Sequence, residues 1–304
     1  MSTKTKTPLS HGRVIRRSVF IFWTLSFLII SLPFRPAFAQ EADTVPDASL
    51  NGKGRIGCTK CPVYSYKITQ LLNKADALYA SFKSKEALDE LLKILELDPD
   101  NNEALTKAAR AFIDLGDRIP ESTPDRNEKR LEQYFIAEQF ARRSIEIDPA
   151  GTWGHFFVAA SLGKISLLSS ASEKIDLAHE IRDEVDKAIA LDPDNGFAYH
   201  ILGVWHRTVA EIGKMSRFMV QTILWRTIPK GSFEKSEENL KKAVTLNPDV
   251  INHHLELAKT YIAKEKWDLA RRHLKIGEDL SIQYSDDQSH KENARHLLQE
   301  IKDR

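Results

Sequence analysis

Four short phrases recur along the chain: Leu97-Asp98-Pro99-Asp100, Ile147-Asp148-Pro149, Leu191-Asp192-Pro193-Asp194 and Leu246-Asn247-Pro248-Asp249. Each follows a run with helical character: Leu92-Lys93-Ile94-Leu95, Ser144-Ile145, Ala188-Ile189 and Ala243-Val244. Asp or Asn before Pro ends such a run, because the proline ring disfavours α geometry at the residue before it. An Asn or Asp shortly after the Pro is then available to cap the next helix. One punctuation mark used four times points to a repeated helical unit.

The ending is that of tetratricopeptide repeats, whose period is about 34 residues. Pro99, Pro149, Pro193 and Pro248 are spaced more widely than that. Each spacing reads as one period plus an insertion, of about half, a third and two thirds of a period in turn. With Pro at position 32, the repeats start at 68, 102, 152, 196 and 251. Position 8, where the two helices of a repeat touch, is then Ala75, Ala109, Ala159, Gly203 and Ala258. Position 20, on the second helix, is Ala87, Ala137, Ile181, Ser236 and Ala270. One frame serves both helices only if every insertion lies between them. The expected fold is therefore all-α, a right-handed superhelix of helix-turn-helix repeats with extended helices or insertions in repeats two to four. A polar helix from about Asp287 to Arg304 caps the exposed apolar end of the stack.

Composition agrees. Of 304 residues, 42% are hydrophobic, only 13 are Gly and 12 Pro, too few turn formers for a β-sandwich or barrel. Residues 1–39 hold six basic side chains and no acid, leaving 38 basic against 43 acidic side chains in the rest. That balance gives no global attraction to nucleic acid or anionic membrane.

The N-terminal segment 1–39 reads as an export signal. Arg13, Arg16 and Arg17 precede the apolar run Val19 to Leu32, and Ala37-Phe38-Ala39 offers a small-x-small cleavage site of bacterial style before Gln40. The run is shorter than the ~20 apolar residues that span a bilayer. The expected location is periplasmic or secreted, the alternative an uncleaved membrane anchor. Residues 40–61 form a polar linker ending in the only two cysteines, Cys58 and Cys61, read first as a local disulfide. A redox pair, free thiols or a bridge to a partner remain alternatives. The repeat domain spans 62–304.

Repeat four carries a more specific signal. Gly203-Val204-Trp205, Val209-Ala210-Glu211-Ile212, the stretch from Phe218 to Pro229, Phe233-Glu234-Lys235-Ser236, Leu246-Asn247-Pro248 and Lys259-Thr260-Tyr261 resemble the regulator of microtubule dynamics family over roughly residues 150–280. The resemblance implies a helical-repeat fold without catalytic residues. It also implies association with microtubules or organelle contacts, and for one member phospholipid binding. An exported protein would not meet a microtubule, so on this reading the lipid role transfers more readily.

The insertion of repeat four interleaves Ile212, Met215, Phe218, Met219, Val220, Ile223, Leu224, Trp225 and Ile228 with Lys214, Arg217, Arg226 and Lys230, a helix with a wide apolar face and basic rim. In the plain reading it lengthens both helices of its repeat and packs against Ile165, Leu167, Leu168 and Ile175. In the functional reading Trp205, Arg217, Phe218, Ile223, Leu224, Trp225 and Arg226 line a groove for an acyl chain or a partner helix. Metal and cofactor sites are not expected: no His-Glu-x-x-His run occurs, and no His pairs with His or Cys at i,i+4. No phosphate loop or Gly-x-Ser-x-Gly elbow occurs either. The leading function is a non-enzymatic protein–protein scaffold in the cell envelope. A hydrophobic-ligand carrier and a structural accessory of an envelope assembly are the alternatives.

Overall fold

A computed structural model describes residues 62–213, 216, 222 and 227–304. The export-like segment, the linker, Cys58, Cys61, and six of the seven groove candidates (Arg217, Phe218, Ile223, Leu224, Trp225 and Arg226) lie outside the described residues. Every regular element described is a helix. In chain order these are α1 (Pro62–Ala80), α2 (Ser84–Leu97), α3 (Asn102–Asp117), α4 (Arg126–Ile147), α5 (Thr152–Leu168), α6 (Ala171–Leu191), α7 (Gly196–Ala210), α8 (Phe233–Leu246), α9 (Ile251–Ala263), α10 (Trp267–Asp279) and α11 (Asp287–Glu300). They pair as the A and B helices of five repeats, with α11 packed on α9 and α10.

The B helices α2, α4, α6 and α8 stop at Leu97, Ile147, Leu191 and Leu246, one residue before the Asp or Asn of each recurring phrase. In each case that residue's N–H still donates four residues back, to Ile94, Ser144, Ala188 and Ala243. The chain then turns and the next A helix begins at the position set by the frame. Asn101 and Asn195 cap α3 and α7 by accepting the amides of Ala104 and Ala198. Gly151 and Val250 hold the same place before α5 and α9 without a side-chain cap.

All ten frame positions are buried. Ala109, Ala159, Ala258, Ala137, Ser236 and Ala270 are fully enclosed, with Ala75, Ala87, Ile181 and Gly203 close behind. A Cβ on Gly203 would lie 2.5 Å from Leu240 Cγ, so the close approach of α7 and α8 needs glycine there. The apolar core runs as three segments along the array, around Leu91 and Ile94, around Val158 and Val185, and around Leu240 and Leu257. Each A helix also touches the A helix of the next repeat from α3 through α9.

The three insertions lie between A and B helices but take different forms. In repeat two the chain spends eight residues on a connection, 118–125, and the rest on a 22-residue α4. In repeat three α5 and α6 grow to 17 and 21 residues and meet at a tight turn. There Ser170 and Glu173 form a reciprocal capping box. Repeat four departs from the plain expectation. Its helices keep 15 and 14 residues, so the insertion lengthens neither. Gly231 explains the abrupt return: a Cβ there would sit 2.4 Å from the Ala210 amide and 2.5 Å from the His206 carbonyl. The chain passes directly over the end of α7, and only glycine clears that backbone. Of the expected packing partners, Ile165, Leu168 and Ile228 join one core cluster, whereas Leu167 stays exposed.

Candidate functional site

Helices α5 and α7 each bury one side against their B helix and turn the other toward neighbouring A helices. On that second side α5 carries Trp153 and Phe156, and α7 carries Phe197 and His200. Trp153 and Phe197 both occupy position 2 of their repeats, one place after the first helical residue. That shared register brings them 6.4 Å apart, and Phe156 sits 5.5 Å from Trp153 and 6.2 Å from Phe197, edge to face. Phe197 continues the row to His253 of α9 at 5.2 Å. Trp153 keeps 43% of its surface exposed, so the row ends in a large ring that a partner can reach.

Histidines close one end of the row. His253 Nδ1 lies 3.0 Å from His200 Nδ1, a bond that requires a proton on just one of the two nitrogens. Burial pushes both rings far below the usual imidazole range, to about 3 for His200 and about 2 for His253. A second pair joins His254 and His273, also at 3.0 Å, with His273 pushed down to about 4 by burial. Searching the sequence for i,i+4 pairs could not find either, because each spans two helices.

Beyond the aromatic row the A helices carry paired charges. Arg207 of α7 reaches Glu256 of α9, which also binds Lys259 at 2.7 Å. Lys164 of α5 meets Asp117 of α3 at 2.5 Å, and Asp117 accepts the Tyr134 hydroxyl. Arg110 of α3 stacks 3.5 Å over the Tyr79 ring. Tyr79 in turn donates to Asp114, whose carboxyl is raised by burial. These ion pairs cross from one A helix to the next and hold the register of the face.

Of the sequence candidates, only Trp205 is described. It points into the core of repeats three and four, its indole N–H donating to the Ala178 carbonyl at 2.7 Å and its ring 5.2 Å from the Arg182 guanidinium. The insertion's exit lies nearby: the Thr227 carbonyl is 3.2 Å from His179 Nε2 on α6. Trp153, Phe156 and Phe197 were not singled out by sequence, although the frame places two of them at one position. Asp286, Asp287 and His290 are close enough to suggest metal ligands. Their bonds account for most of that proximity, since His290 pairs with Asp286 at 3.0 Å and Asp287 accepts two backbone amides. A shallow hollow of about 380 Å³ between Glu265 and Arg271, beside Arg304, is walled mainly by charged groups.

The family model for regulator of microtubule dynamics protein 1-3 matches residues 71–302. The chain belongs to this family. Membership reaches well beyond the 150–280 stretch in which the motifs are visible by eye, into repeats one and two. The cattle regulator of microtubule dynamics protein 1 is 26% identical over 79% of this chain and 74% of its own length. The nematode Caenorhabditis elegans protein of that name is 24% identical over 74% of this chain and 96% of its own. Among solved structures, a thermophilic TPR protein from Thermus thermophilus superposes with a TM-score of 0.57 at 16% identity, over 76% of this chain and all of that one. That likeness establishes the tetratricopeptide-like helical fold.

The expected periplasmic or secreted location is overturned by these relatives. They are animal proteins, from organisms without a periplasm, and their name refers to microtubules. An apolar run behind a basic stretch does not by itself prescribe export. With export withdrawn, the reason for setting the microtubule connection aside goes too. No helix among the described residues is long and apolar enough to cross a membrane.

Proposed function

We propose that this chain is a non-enzymatic scaffold that holds a segment of a partner protein on the A-helix face around Trp153, Phe156 and Phe197. The observation that carries the reading is the aromatic row on consecutive repeats, half-buried at Phe156 and Phe197 and exposed at Trp153. Large rings on a rigid helical scaffold lose little conformational entropy on binding and dominate interface energetics. Inter-helix ion pairs such as Arg207–Glu256 keep the platform in register before a partner arrives. The relatives' name directs the first test to microtubules. Purified protein is sedimented with stabilised microtubules. Wild type should pellet, and Trp153→Ala with Phe197→Ala should stay in the supernatant with unchanged helical circular dichroism. Equal pelleting of both would remove the aromatic row from the reading.

A second reading concerns the insertion of repeat four. Its exit is held against α6 by the His179–Thr227 contact and by Ile228 in the core. A hydrophobic ligand such as a lipid could be held by Phe218, Ile223, Leu224 and Trp225, with Arg217 and Arg226 at its polar head. Lipid added to the wild type should then change tryptophan emission, and Phe218→Ser with Leu224→Ser should abolish the change without loss of helix. An unresponsive wild type would end this reading and leave the first intact.

A further inference from the structure

Repeat arrays ordinarily contact only their neighbours along the chain. One side chain here breaks that pattern. Tyr284, in the connection between α10 and α11, lies beyond the last repeat, yet its ring sits edge-on to Phe197 of repeat four at 6.2 Å. It also comes within 5.8 Å of the Arg110 guanidinium of repeat two. The segment after the array therefore folds back onto the A-helix face.

Its conformation is built rather than incidental. Asp287, 2% exposed, accepts the amides of Gln283 and Tyr284 at 2.7 and 2.8 Å through one oxygen. The Asp287 amide donates back to the Tyr284 carbonyl. Asp286 is held by His290. Lys291 ties α11 to the Glu278 carbonyl at the end of α10. Gln283 reaches the Asp249 carbonyl between repeats four and five. The loop thus presents the ring at 284 to the A-helix face. The ring meets Phe197 and the cation of Arg110, while the Asp286 carboxylate is paired with His290 of α11.

We infer that the A-helix face recognises a turn segment bearing an aromatic residue, and that Gln283–Asp287, with the Tyr284 ring on Phe197 and Arg110, is a resident copy of that segment which a partner must displace. The inference rests on the A-helix face being the binding surface. Aromatic edges favour the faces of Phe197 and Trp153, and the ring over Arg110 adds a cation–π contact. A partner with the same chemistry meets a site already filled from within the chain. Its apparent affinity is lowered by the fraction of time the segment is in place.

The probe is a fluorescent peptide of residues 281–287, Ser-Ile-Gln-Tyr-Ser-Asp-Asp, titrated by anisotropy into the full chain. Tyr284→Ala in the protein empties the site and should tighten peptide binding about tenfold over wild type, as expected where the competent state is about one-tenth populated. A peptide with Ala in place of its Tyr should not bind that variant. Adding Trp153→Ala and Phe197→Ala to the emptied protein should abolish binding. Hydrogen exchange supplies a readout without mutation: saturating peptide should raise exchange in 280–287 of the wild type. Peptide binding no tighter to Tyr284→Ala than to wild type, or exchange in 280–287 unchanged at saturation, would overturn the inference. The microtubule sedimentation test, read on wild type and the Trp153/Phe197 variant, judges the binding surface separately.

Discussion

Helices α5 and α7 each have two sides of opposite character, and the contrast separates what folds this chain from what it does. On the inner side sit Ala159 and Gly203, shielded and packed so closely on their B helices that glycine is required against Leu240. On the outer side sit Trp153, Phe156 and Phe197, larger and only partly covered. At these positions small residues sit where two helices touch, and the large rings of the outer side stay partly uncovered. The inner side is set by the space between two helices. Among the described residues the outer side is met at Phe197 by the rings of His253 and Tyr284.

The comparison breaks first at Leu240, which fills the space opposite Gly203 with no exposure. Leu240→Ala should cost ~2–5 kcal/mol, as for other buried leucines, and lower the denaturant midpoint accordingly. A midpoint equal to wild type would show that α7 and α8 do not meet where the repeat frame puts them. Ala159→Leu tests the same side by overfilling, with ~1–3 kcal/mol expected. A melt indistinguishable from wild type would mean that position 8 is not the close contact.

Histidines removed from solvent give a pH test. An unfolded histidine titrates near 6.5, but burial holds His200 and His253 at about 3 and about 2, and His206 and His273 at about 4. Between those values and about 6.5 the unfolded chain binds more protons than the folded one. Stability is therefore full above about pH 6.5 and lost as the pH falls below it, by about 1 kcal/mol per pH unit for each such histidine. Urea melts from pH 7 to 5 should show the decline, and His253→Gln should make it shallower. A profile flat over this range would mean these rings are not buried neutral.

The smallest expected effect belongs to the outer side. Trp153→Ala should change stability by about 1 kcal/mol or less, in keeping with an incompletely buried site, while removing partner binding. A loss as large as that of Leu240→Ala would erase the distinction between the two sides and make the aromatic row part of the core.

The repeat frame was readable because its signals are local. Each Asp-Pro or Asn-Pro phrase ends a helix by backbone sterics that act within two residues, and the Ala or Gly eight places into the next helix answers a spacing the chain itself repeats. The fate of the insertions was less readable. The insertion of repeat four is as apolar as the helices around it, and nothing in its pattern shows that Gly231 must pass against the end of α7 and prevent α8 from extending backward. Trp205, a groove candidate by sequence, is committed instead to Ala178 and the core, because apolar periodicity marks a buried side without naming what buries it.

By itself, then, the sequence determined the all-helical class, the start of repeats two to five, the side of each helix that packs within its repeat, and the family. All of these depend on short-range sterics and on spacing along one chain. Only the tertiary structure decided that Trp153, Phe156 and Phe197 form one surface, that His200 meets His253 and His254 meets His273, and that Tyr284 returns to lie between repeats two and four. Those groups are far apart in sequence. They meet through the angle at which each repeat stacks on the last, a quantity set by many packed side chains together and carried by no motif.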